Sequence, residues 1–212
     1  MKNFFNSENF LWQGFARLAD YFIVSILWMV GCIPVVTAGT SCIALYDTVA
    51  HCIRFGEKDI LRRFWNTYKA ELRRGIAITL LWAVLSMVLS VPYQILAQMG
   101  EAGSIWNLLS IAYFVLLLLP VGAACWAIAI ESRFTHSFAG LHRTALLFTI
   151  AHLPQTALIS ALFVVELNLL INFPFFAMFV PGLITSFQSH LIEKVFIKYT
   201  PSDADAVEEQ TT

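Results

Sequence analysis

Apolar residues along this chain come in long blocks, not in strict alternation. Five blocks approach the ~20 residues that a helix needs to cross a bilayer core. They lie at about 21–41, 75–99, 105–130, 144–165 and 173–192. A short polar break, residues 166–172 (ELNLLIN), separates the last two, so these are expected to form a tight helical hairpin. The pattern predicts an all-α, polytopic transmembrane helical bundle of about five spans. Residues 1–200 form one integral membrane domain. The tail 201–212, acidic and opened by a proline, is expected to be disordered.

Two stretches have a different period. In EKDILRRFWNTYKAELRRG, residues Ile60, Leu61, Phe64, Trp65, Tyr68 and Leu72 fall within an arc of about 140° at helical spacing. Arg62, Arg63, Lys69, Arg73 and Arg74 lie outside that arc, with Glu71 as the misfit. A basic face opposite an aromatic one describes a cytoplasmic amphipathic helix between spans one and two, lying on an anionic leaflet. Packing of the same face on the protein's own spans is the alternative. Phe10, Leu11, Gly14, Phe15 and Leu18 repeat the spacing more weakly.

Composition agrees with the blocks. Of 212 residues, 58% are hydrophobic and 13% charged, against about 25% charged in soluble domains. No cleavable signal is apparent: MKNFFNSENF carries Glu8, and the first apolar block opens only near Tyr21, so the chain is expected to keep its N-terminus. Cys32, Cys42 and Cys52 recur every ten residues, but ten residues turn a helix back to about -80°, so they share no face. With Cys125 they read as small buried hydrophobes, not as metal ligands.

Positive charge orients the blocks. Residues 54–74 carry seven Lys or Arg, whereas the turn after block two (GEAGS) and the break after block four carry none. Arg133 and Arg143 follow block three, and Lys194 and Lys198 follow block five. The positive-inside rule then puts the basic segment and the C-terminus in the cytoplasm of a multi-pass cell-membrane protein. Five full spans place the N-terminus outside, which strands Lys2 and Arg17 there. If residues 21–53 instead form a broken or re-entrant hairpin, the N-terminus lies inside.

Candidate chemistry is sparse. IPVVTAGTS, residues 33–41, ends the first block with a helix breaker, a glycine and three hydroxyls. Pro34 stops the helix, Gly39 permits a turn, and Thr37, Thr40 and Ser41 can satisfy freed backbone groups. Asp47 follows in an apolar setting, where it needs a nearby arginine or the interface. His152, beside Pro154, is the one intramembrane polar candidate, for a pocket or a proton relay; a hydrogen bond to a neighbouring helix is its plainer role. Glu131, Glu166 and Glu193 are expected at span ends, within reach of headgroups or water. Prolines recur within the blocks and free carbonyls that a transporter can use. No zinc-protease, nucleophile-elbow or phosphate-loop motif occurs. The expectation is a non-enzyme with no catalytic residue, metal or cofactor and no nucleic-acid partner.

LWMVGCIPVVTAGTSCIALYDTV followed by FWNTYKAELRRG resembles the YesL-type membrane proteins, the domain-of-unknown-function family 624. The matching positions are Pro34, Thr37, Gly39, Ala44 and Tyr46, then Phe64, Trp65, Tyr68 and Lys69. The resemblance implies a bacterial protein of a family without an established activity, whose members are often encoded beside carbohydrate ABC transporters. The expected function is an accessory role in carbohydrate uptake or its sensing, with the lipid bilayer and ABC permease subunits as partners. The alternative is a small solute transporter or channel in its own right.

Overall fold

A computed structural model of the chain describes residues 6–54, 59–100, 104–134 and 137–199, with residues 6–16, 54, 100 and 104 described by backbone alone. The acidic tail and the side chains of Phe10, Leu11, Gly14 and Phe15 lie outside the described parts. Every regular element among the described residues is helical. Helix α1 spans Asn6–Gly31, α2 Ala38–Thr48, α3 Ile60–Ala70, α4 Leu72–Gly100, α5 Ser104–Arg133, α6 Phe138–Ala151, α7 Leu153–Asn172 and α8 Val180–Phe196. Three of these, α4, α5 and α7, are long and apolar enough to cross a membrane. Their apolar side chains are largely exposed, as expected of a membrane protein whose solvent is lipid.

The first apolar block is not one helix. Its chain breaks after Gly31, passes through a 3-10 turn at Val35–Thr37 and returns as α2. Pro34 has no N–H to continue α1. Thr37 Oγ1 donates to the carbonyls of Gly31 and Pro34, at 2.8 and 2.7 Å, so the orphaned end of α1 is satisfied from within the turn. The two helices run antiparallel. Trp28 Nε1 donates to Cys42 Sγ at 3.4 Å, while Val24 and Leu27 share a core with Leu45 and Val49. The tip of the reversal is apolar and bare: Ile33 is 76% and Val35 79% exposed.

Helix α2 is buried on nearly every side, polar residues included. It continues into a π-helical turn, Val49–Arg54. The predicted amphipathic segment is α3, and its apolar arc is divided. Phe64 is fully buried against the α1–α2 pair, with Ile60 and Tyr68 beside it, whereas Leu61 and Trp65 remain exposed.

The fourth block is also interrupted. Helices α6 and α7 meet at His152, whose backbone leaves the helical region (φ -124°, ψ 51°). Pro154 takes the donor from the Ile150 carbonyl, and Thr156 Oγ1 reaches back to the Thr149 carbonyl at 3.2 Å. Helix α7 then runs through the expected break to Asn172. In place of the fifth block, a 3-10 stretch, Pro174–Met178, leads into α8.

The main core lies where α2, α5, α6, α7 and α8 meet around Trp126. The Trp126 indole donates to Thr156 Oγ1 at 3.0 Å, so its one polar atom is satisfied.

Candidate functional site

Helices α2, α5 and α8 end, and α4 begins, at one end of the bundle. There each of the three closing helices carries a buried carboxylate, and each carboxylate meets an arginine. Asp47 is the most fully held. Arg63 donates to it from Nε at 2.7 Å and from Nη2 at 2.9 Å, and Thr67 Oγ1 donates at 2.6 Å. His51 Nδ1 lies 3.0 Å from the same carboxylate. A bidentate arginine is among the strongest partners a carboxylate finds.

Glu131 of α5 accepts from Arg74 Nη1 at 2.9 Å. Glu193 of α8 accepts from Arg133 Nε and Nη2 and from the Tyr46 hydroxyl at 3.5 Å. Asp47, Arg63, Glu71 and Glu131 line one open polar cavity of about 380 Å³. Burial, and then the neighbouring Glu131, push the Glu71 carboxyl above the usual carboxylate range.

The IPVVTAGTS element reaches the bundle through a backbone crossing. Gly39 N–H donates to Thr79 Oγ1 at 2.8 Å, and Thr40 Oγ1 donates to the Leu72 carbonyl at 3.4 Å. A Cβ on Gly39 would stand 2.8 Å from the Gly75 carbonyl, and one on Gly75 would stand 2.6 Å from the Thr40 Cα. Gly39 therefore lies inside α2 and serves close approach to α4. It does not form the turn expected from its sequence.

Of the predicted residues, the structure joins Pro34, Thr37 and Gly39 to the hairpin and its seat, and Tyr46, Asp47 and Arg63 to the ion-pair end. Phe64 and Tyr68 fasten α3 to the hairpin, and the Tyr68 hydroxyl donates to the Gly31 carbonyl at 3.4 Å. Trp65 stacks edge-on to Tyr68, and Lys69 is exposed in the last turn of α3. His152 stands apart at the α6–α7 break, 3.1 Å from the Tyr199 hydroxyl.

The glutamates differ from expectation. Glu131, Glu166 and Glu193 are all buried, none more than 6% exposed, although Glu131 lines the open polar cavity. Sequence spacing gave no sign of this, because the arginines of Glu131 and Glu193 come from other helices, 57 and 60 positions away. The four cysteines are free and partly or fully buried. Among the described residues no group of three His, Cys, Asp or Glu is placed to hold a metal ion.

Two cavities lie away from the charged end. One, of about 370 Å³, is an apolar groove between α2, α4 and α5 whose wall includes Gly39, Ala83, Ser86 and Ser90. The other, of about 200 Å³, lies deeper, between α1, α2, α5, α7 and α8.

Residues 21–93 match a family model described as "Protein of unknown function, DUF624", which covers the last part of α1, all of α2 and α3, and most of α4. The YesL-type resemblance is consistent with this match. No curated protein and no solved structure matches the chain.

Proposed function

We propose that this chain, whose residues 21–93 carry the DUF624 match, is a non-enzymatic, multi-pass cell-membrane protein that assists an ABC-type carbohydrate uptake system. It acts by packing its helices on a permease subunit. The observation that carries this reading is the groove between α2, α4 and α5. Ala83, Ser86 and Ser90 recur there at helical spacing, and small residues are what let helix backbones approach each other in lipid. The uptake system itself is drawn from the family resemblance.

The orientation follows from charge. Arg63, Arg74 and Arg133 gather with their carboxylates at one end, and Arg17 shares a cavity with Ile53 and His190 near it. The positive-inside rule puts that end in the cytoplasm. The α1–α2 pair is then a re-entrant hairpin entering from the cytoplasm, with α4, α5, α7 and α8 as four crossings. Lys2 and Arg17 no longer lie outside, and both termini face the cytoplasm.

Purification in mild detergent tests the partner. A permease subunit or its solute-binding protein is expected to co-purify, and deletion is expected to slow sugar uptake. If neither happens, the role is refuted.

A further inference from the structure

Among the described residues four carboxylates are buried. Three have an arginine. The fourth, Glu166, is 6% exposed and makes no hydrogen bond or ion pair with another described residue. It lies in α7, one of the three membrane-length helices, and lines the deeper cavity of about 200 Å³. No Lys, Arg or His lines that cavity.

An ionised carboxylate in such surroundings is costly unless something positive meets it. A carboxylate at membrane depth that faces a cavity instead of a protein cation marks a ligand or ion path. Two features of the cavity narrow the class. Its volume, at about 30 Å³ per water in the liquid, suits a molecule of several heavy atoms better than a bare ion. Its wall also presents the aromatic side chains of Trp28, Tyr46 and Phe163. Aromatic faces attract alkylated ammonium groups, which are poorly hydrated and tolerate an apolar site.

We propose that this cavity binds a small organic cation of the alkylammonium class, with Glu166 as its counter-ion and Trp28, Tyr46 and Phe163 as its aromatic wall. Entry runs from the groove, which shares Cys42, Ile128 and Phe163 with the cavity wall. The cavity itself needs no partner chain, but its entry shares the groove proposed to receive a permease helix, so the binding test is made on the chain alone.

The test uses the full chain in detergent or nanodiscs, with calorimetric titration and thermal unfolding. The probes are tetramethylammonium, its neutral isostere tert-butanol, and the chlorides of sodium and potassium. Tetramethylammonium is expected to bind saturably and to raise the unfolding temperature. Glu166→Gln is expected to weaken binding at least tenfold. Phe163→Leu keeps the carboxylate and is expected to weaken binding severalfold, so it carries the test if Glu166→Gln does not unfold cooperatively. The proposal is overturned by no saturable binding to the wild-type chain, or by an equal response to tert-butanol. A response to sodium or potassium alone, proton uptake without tetramethylammonium binding, or unchanged affinity in both variants also overturns it.

Discussion

Asp47 shows how far a single residue can be read from sequence. Its need for a partner follows from charge in an apolar setting. The partner's identity does not, because Arg63 lies sixteen positions on and belongs to a helix whose basic face was expected to meet lipid headgroups. Folding turns that arginine inward. Removing it takes the guanidinium from a carboxylate that is 3% exposed and leaves Thr67 and His51 beside it. Arg63→Ala is therefore expected to destabilise by about 3 kcal/mol, the lower end for a broken buried pair, because Arg63 itself keeps a third of its exposure. Adding Asp47→Asn to Arg63→Ala is expected to recover part of that loss. Equilibrium unfolding of the two single variants and the double variant measures the coupling, and strict additivity would refute the pair.

At the scale of elements, the helix breaks within apolar blocks share one cause. Hydropathy sees how apolar a stretch is and cannot see whether the chain reverses within it. Residues 21–41 and 144–165 are apolar enough for single spans, yet Pro34 and Pro154 break both. What holds the first reversal in place is the seat of α2 on α4, a contact between Gly39 and Gly75 that no periodicity reveals, since the two lie in different elements. Gly75→Ala puts a Cβ against the Thr40 backbone and is expected to cost about 1–3 kcal/mol, as overpacking does. Gly75→Leu is expected to unseat the hairpin altogether. The control is Ala83→Leu at the groove, which leaves the seat untouched. Thermal unfolding in detergent ranks the three, and a Gly75→Leu protein as stable as the wild type would show that the seat is unimportant.

Across the whole molecule, membrane class and helical architecture were legible because they rest on composition and block length. The inward turn of the charges was not, because it depends on which helix ends meet. That meeting fixes one global expectation. Tags at the N- and C-termini should both be protected in intact cells and both be digested once the inner face is opened. An N-terminal tag cleaved from outside intact cells would mean that the hairpin is a full span. The hairpin also bears on how the protein is made. The groups that hold α1 and α2 in place, Arg63, Gly75 and Thr79, all follow them in the chain. When residues 6–54 leave the ribosome, nothing yet exists to distinguish a re-entrant loop from an ordinary anchor. The first membrane segment to be synthesised is therefore expected to be among the last to reach its final position, after α4 has been inserted beside it.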